Sequence, residues 1–193
     1  MILLTETWLT NDISTSEVFS NNYSVFRKDR NLQEHGVTRG GGVLIAVNAH
    51  FHVTHLDLSF LTQEIPQIDI VGVKLISQNV FIFVLYIPPS ISLYDFELFF
   101  EIFNNYLLLC NSKDILIVGD LNTPTFFENK NDRFSLQLNN FSNIHYLQQY
   151  NNVFNSYNHI LDLVFSTFIC GVSKAPISLV EEDRHHPTLL LEF

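Results

Sequence analysis

Seven short apolar runs punctuate this chain, each bounded by turn-forming residues. They are MILLTE (1–6), GGVLIAV (41–47), DIVGVKL (69–75), VFIFVLYI (80–87), DILIVGD (114–120), ILDLVFS (160–166) and TLLLEF (188–193). Runs of this length, rich in Val, Ile, Leu and Phe, read as buried β-strands. Between them, SLYDFELFFEIFNNYLLLC (92–110) sets Phe96, Phe99, Phe100, Phe103 and Leu107 on one face at helical spacing, with Ser92 placed to cap it. DRFSLQLNNFSNI (132–144) repeats Phe134, Leu138 and Phe141 at the same spacing, and residues 14–20 fit a short third helix. Strands interleaved with helices and irregular loops define an α/β domain. Over 41–87 the strands follow one another with no helix between, which argues against an all-parallel doubly wound sheet. The Asn-, Gln- and Tyr-rich stretch 139–158 reads as a loop with a short strand.

At 193 residues the chain fits one domain, 1–193, with enough length to bury a sizeable core. Apolar residues are 47% and charged residues 16%, which excludes general disorder. The longest apolar run stops at Pro88-Pro89, far short of the roughly 20 residues that cross a bilayer. The N-terminus lacks the basic region and cleavage site of a signal peptide. Cys110 and Cys170 are the only thiols, as expected of a reducing, intracellular setting (nuclear or cytoplasmic) without a disulfide framework. The net charge of −10 counts against tight nonspecific binding of DNA, which usually rests on many Lys and Arg contacts to phosphate. Arg27, Lys28, Arg30 and Arg39 form the one basic grouping, and it reads as a solvated loop.

Polar residues that end apolar strands carry the chemical interest, because strand ends converge at the rim of a sheet. Glu6 directly follows the first strand; a carboxylate there suits Mg²⁺, which takes hard oxygen ligands and often only one or two from protein. Tyr86 precedes Ile87-Pro88-Pro89, whose prolines force an extended exit, and its phenol could donate to a phosphate oxygen. In ILIVGDLNTP, Gly119 permits a tight exit before Asp120 and Asn122. An extended path would put both on one side. They could then act as a base for water with an amide to hold it, or the same spacing could form an Asx-turn. Asp162 lies inside an apolar run and needs a partner, either a histidine such as His185 or an arginine. The DRHHP segment supplies His185 and His186. Gly40-Gly41-Gly42 lacks the spacing of a phosphate loop and reads as a hairpin turn into a central strand. No HExxH, CxxC or GxSxG pattern is present, so zinc and nucleophilic-serine chemistry have no support in the sequence.

Taken in order, LTETWL, GGGVLIAV, LYIPPS, ILIVGDLNTP, ILDLVFS and HHPTL resemble the endonuclease/exonuclease/phosphatase superfamily. More narrowly, residues 2–191 resemble the apurinic-like endonuclease domain of non-LTR (LINE-type) retrotransposons. The resemblance implies a four-layer sandwich of two mixed β-sheets flanked by helices, and Mg²⁺- or Mn²⁺-dependent hydrolysis of phosphodiesters in DNA. Carried across, Glu6 ligates the metal and Tyr86 contacts the scissile phosphate. Asp120 and Asn122 position and activate water. His185, oriented by Asp162, stabilises the developing negative charge, and His186 is a bystander.

The family usually opens with a further strand that ends in an Asn at the site. The expectation is therefore an N-terminally truncated domain lacking its first strand. It also commonly carries Ser-Asp-His before the last strand; with His185 as that His, Arg184 stands at the Asp and Asp183 is the nearest carboxylate left for the metal. Two other readings use the same residues: a degenerate, catalytically inactive retroelement fragment, and a phosphatase of the same superfamily.

Overall fold

The computed structural model describes residues 1–29, 40–110, 114–179 and 181–193. In chain order the strands are β1 (Ile2–Thr5), β2 (Tyr23–Lys28), β3 (Val43–Asn48), β4 (Val53–His55), β5 (Asp69–Leu75), β6 (Val80–Tyr86), β7 (Asp114–Asp120), β8 (Gln148–Gln149), β9 (Asp162–Ser166), β10 (Gly171–Lys174) and β11 (Leu189–Glu192). The helices are α1 (Thr15–Val18), α2 (Ser59–Glu64), α3 (Leu93–Leu109) and α4 (Arg133–Ile144), with a 3₁₀ turn at Pro124–Phe126. Strands β4-β5-β6-β7-β9-β8 form one mixed sheet, in which β6 and β7 are parallel and the other neighbours antiparallel. Strands β1-β3-β2 form a second, antiparallel sheet, and β10-β11 a separate antiparallel pair.

The two faces of the large sheet bury different side chains, because neighbours along a strand point to opposite faces. Phe81, Phe83 and Leu85 of β6, Ile115 and Ile117 of β7, and Leu163 and Phe165 of β9 face α2, α3 and α4. Val80, Ile82, Val84, Leu116, Val118 and Val164 face the other way, onto Val43, Ile45 and Val47 of β3. The helix side is thus filled by aromatic bulk and the space between sheets by smaller branched chains. Phe103 meets Phe83 edge-on and stacks on Phe141, tying α3 to both the sheet and α4. Ser92 caps α3 by accepting a hydrogen bond from the Asp95 N–H, and Asp132 caps α4 through Ser135 N–H. All five apolar residues expected on the α3 face are buried. Burial contributes about 1.5–3 kcal/mol for each.

The result is an α/β sandwich, as the sequence leads one to expect, with differences confined to short or weakly patterned elements. The basic segment is not a solvated loop: Arg27 and Lys28 lie in β2, and Arg27 donates to the carbonyls of Thr10 and Ile13 and pairs with Asp29 at 3.0 Å. Arg30 and Arg39 fall outside the described residues. Strand β2 is half-buried throughout and so lacks the apolar run that marks β6 or β7. Cys110 and Cys170 are both free thiols. Among the described residues no helix is long and apolar enough to cross a membrane.

Candidate active site

Register across the large sheet aligns four polar residues at one end. Asp69 of β5 is opposite Tyr86 of β6, Tyr86 is level with Asp120 of β7, and Asp120 is opposite Asp162 of β9. Residues level with one another across a sheet share a face. Here it is the face turned toward the second sheet, since Val71, Val84, Val118 and Val164, two positions away, line that side. Asp69, Tyr86 and Asp120 are all buried. Asp69 accepts a hydrogen bond from the Gly42 N–H at 2.8 Å and so anchors the entry to β3.

Gly119 sets the approach of β7 to β6. Its φ is +150°, and an added Cβ would lie 1.9 Å from the Leu85 carbonyl oxygen. Only glycine fits this contact. Immediately after it, the Asn122 N–H donates to Asp120 Oδ1 at 3.1 Å, closing the Asx-turn that the spacing allowed. Asn122 itself has φ +46°, and its Nδ2 donates to Asp120 Oδ2 at 2.9 Å and to the Ile87 carbonyl at 2.8 Å. The turn and the functional pairing are therefore one structure, in which Asn122 holds both oxygens of Asp120 in place.

The histidine beside the two aspartates is His186. Its Nδ1 is 3.1 Å from Asp162 Oδ2, and its Nε2 is 3.7 Å from Asp120 Oδ2. His185, expected to pair with Asp162, is instead exposed and stacks on Tyr157, ring centres 4.6 Å apart. Its carbonyl accepts from Asn155 Nδ2, and its N–H donates to Asp183 Oδ1 at 2.6 Å. The expectation is corrected by one residue, for a physical reason. The chain bends at 184–185 before Pro187, and beyond the bend His186 turns to the aspartates while His185 lies on Tyr157. Counting by twos back from Leu191 and Leu189, which pack on the inter-sheet core, would point to His185. That alternation does not survive the non-strand residues 186–188. Asp183 is turned into its own loop by the bond to His185, and Arg184 is exposed. With His186 in the site, the residue immediately before it is His185 and not Arg184.

Glu6 follows β1 with a left-handed backbone, φ +50°. The path is fixed by bonds from the Thr7 and Trp8 N–H groups to the carbonyls of Gly42 and Gly41. A Cβ on Gly42 would meet Thr7 Oγ1 at 2.5 Å, so the glycine run serves this close approach. Glu6 acts through space on both Asp120 and His186.

Burial pushes the Asp120 carboxyl up to about 7, and the Asp162 charge adds to the rise; His186 and the Asn122 N–H offset part of it. Burial alone would lower the His186 imidazole. Its hydrogen bond to Asp162 and the charges of Asp162, Asp120 and Glu6 outweigh this and raise it to about 9. His186 thus sits between Asp162 and Asp120, its imidazole biased toward the charged form and the Asp120 carboxyl toward the neutral one. Oxygens of Asp120 and Asp162 and a nitrogen of His186 all lie within 4.8 Å of one another, a spacing that could also hold a metal ion.

This site lies on the endonuclease/exonuclease/phosphatase fold. The chain resembles the endonuclease domain of TRAS1, a telomere-specific non-LTR retrotransposon, with a TM-score of 0.62 and 17% identity over 89% of this chain and 78% of that one. The human nocturnin catalytic domain with bound sulfate matches with a TM-score of 0.61 and 12% identity, covering 98% of this chain and 78% of that one. The mannosyl-6-phosphatase Bt3783 of Bacteroides thetaiotaomicron matches at 0.52 and 11%, covering 90% and 78%. No protein-family model matches the sequence, and no curated protein matches it.

Proposed function

We propose that this chain is a divalent-metal-dependent phosphodiesterase acting on DNA, an endonuclease-like domain of retroelement origin. The observation that carries the reading is His186 set between Asp120 and Asp162, with Tyr86 in register beside them. A carboxyl with a pKa near 7 suits a general base that works near neutral pH. Asp120 would take a proton from the attacking water, while Asn122 fixes the orientation of the carboxylate. His186, held charged and aimed by Asp162, would donate to a phosphoryl oxygen as negative charge builds there, and Tyr86 would supply a second donor. The P–O bond to the leaving strand then breaks, its electron pair stays on the leaving oxygen, and that oxygen takes up a proton from solvent water.

The donors fit a metal ion. Asp120 and Asp162 offer hard carboxylate oxygens of the kind Mg²⁺ and Mn²⁺ take within 4.8 Å of one another, and the Glu6 charge acts on Asp120 through space; a cation there would offset the charges of Asp162 and Glu6 that add to the burial of Asp120. Such an ion, when bound, supplies Lewis-acid polarisation of the phosphoryl group. Asp183, exposed and accepting the His185 N–H, is not part of the Asp120, Asp162 and His186 cluster. The likeness to the TRAS1 endonuclease supports the choice of DNA and of retroelement origin. The net charge of −10 favours a second reading, a phosphatase for a small phosphoester, a class represented on this fold by the mannosyl-6-phosphatase.

Nicking of supercoiled plasmid separates these readings. The expected result is nicking in Mg²⁺ or Mn²⁺ that stops in EDTA and in Asp120→Ala. Nicking that persists in either condition overturns the site. Release of phosphate from a soluble phosphomonoester without nicking favours the phosphatase, and absence of both activities identifies an inactive domain.

A further inference from the structure

The Asn-, Gln- and Tyr-rich stretch 139–158, which precedes β9, contains two buried asparagines, Asn151 and Asn155. A buried amide is costly unless its donors and acceptors find partners, so its bonds show what it holds. Asn151 Oδ1 accepts the Val153 N–H at 2.9 Å, and its Nδ2 donates to the Asp162 carbonyl at 2.6 Å. Asn155 Oδ1 accepts from the Tyr157 and His159 N–H groups, both at 2.9 Å. Its own N–H donates to the His159 carbonyl, and its carbonyl accepts from the Asn158 N–H, which closes 155–159 into a compact loop. That closure uses neither proton of Nδ2. One of them goes to the His185 carbonyl at 3.1 Å, 30 residues along the chain. Beside it, the Ser156 N–H donates to the Arg184 carbonyl at 3.0 Å.

We propose that Asn155 is a positioning residue, whose Nδ2 orients the 185–186 peptide so that the His186 ring meets Asp162. Three constraints combine to do this. The His185 carbonyl belongs to the peptide unit that leads into His186, and that unit is planar. Holding its oxygen therefore sets the direction of the His186 N–H as well. On the other side, Pro187 confines His186 to extended backbone. Rotation about φ and the side-chain torsions are then all that His186 has left to aim its ring. Lastly, the loop that Asn155 closes continues through buried Ile160 into β9, where Asp162 is the first residue. Both members of the His186–Asp162 pair are thus held by one piece of backbone. The stacking of His185 on Tyr157 does not achieve this, because a stacked ring can turn about its own torsions without fixing the peptide beyond it. The catalytic consequence rests on the activity proposed above; the positioning does not.

Three variants test it. Asn155→Asp keeps the shape and the Oδ1 acceptor but puts an oxygen in place of Nδ2, opposite the His185 carbonyl. Asn155→Ala removes the whole amide. His185→Ala removes the stacked ring and keeps the carbonyl that Asn155 holds. An ionised Asp162 can only accept, so His186 Nδ1 carries the proton they share. In NMR of the ¹⁵N-labelled protein that proton gives a downfield, exchange-protected imidazole signal. The signal should be present in the wild type and in His185→Ala, and lost in both Asn155 variants. Amide signals of β6 and β7 should stay in place in all of them, which reports an intact sheet.

If the wild type nicks plasmid, Asn155→Asp should lower kcat by about 10–100-fold. KM should stay within about twofold, because His186 donates only as charge builds in the transition state. A missing signal in the wild type, its persistence in both Asn155 variants, its loss in His185→Ala, or a KM that rises as kcat falls would each overturn the proposal. A wild type that does not nick removes the activity alone, and the NMR comparison then decides the positioning.

Discussion

Asp120→Asn should make this protein more stable and, by the proposed mechanism, inactive. The Asp120 side chain is 2% exposed, and its carboxyl is pushed from 3.8 to about 7 by burial and by Asp162. A carboxyl whose folded pKa lies above the unfolded value has its contribution fully present below about pH 4. That contribution is lost as pH rises toward 7 and stays lost above it. Three units correspond to about 4 kcal/mol against the folded state at about pH 8. The substitution removes the charge but keeps the shape. It gives up one of the two bonds from Asn122, worth about 1 kcal/mol. The expected outcome is Asp120→Asn more stable by about 3 kcal/mol at pH near 8, and equal or slightly weaker at pH near 4. Urea denaturation followed by circular dichroism, run on both proteins across that range, reads the difference directly. His186 contributes in both proteins, present below 6.5 and lost as pH rises through about 9, but less in Asp120→Asn, because the Asp120 charge is one of the causes that raise it. A stability difference that stays flat with pH, or Asp120→Asn weaker at pH 8, would refute the reasoning.

Two further substitutions test the neighbouring geometry. If the wild type nicks plasmid, His186→Ala should cut the rate by about 10²–10³-fold, whereas His185→Ala should leave it within a few-fold, and the reverse order would reinstate His185 as the site histidine. Gly119→Ala should cost more than about 4 kcal/mol, because its Cβ meets the Leu85 carbonyl in a disfavoured backbone region; Gly171→Ala, with nothing nearer than 3.9 Å, should shift the melting temperature by only a few degrees.

Much of the architecture could be read from local pattern. The segments 69–75 and 114–120 are strands over the same bounds that their apolar runs suggest, and α3 starts at the Ser92 cap. Long apolar runs and helical stripes are local signals, strong enough that packing has only to accept them. Strands β2, β4 and β10 were not legible, since half-buried edges carry mixed residues that resemble loops. Helix α2 was missed for a related reason: six residues with one buried leucine leave no periodic stripe to count.

The site divides in the same way. Sequence alone was enough to single out Asp120, Asn122 and Asp162, because a carboxylate ending or interrupting an apolar run is costly and stands out. Asp69 also stands at the head of such a run, but nothing local tells an anchoring aspartate from an exposed strand end; its partner, the Gly42 N–H, is 27 residues away. Which histidine meets Asp162 was settled only by tertiary structure. His185 and His186 have nearly identical local context, and the choice depends on a bend at 184–185 and on Tyr157 and Asn155 drawing His185 outward. The strand register that puts Asp120 opposite Asp162 joins residues 42 apart, and Asn155 bonds a carbonyl 30 residues away. Residue type and local spacing are written along the sequence. Distance and direction between remote segments are fixed only when the two sheets close on their shared core.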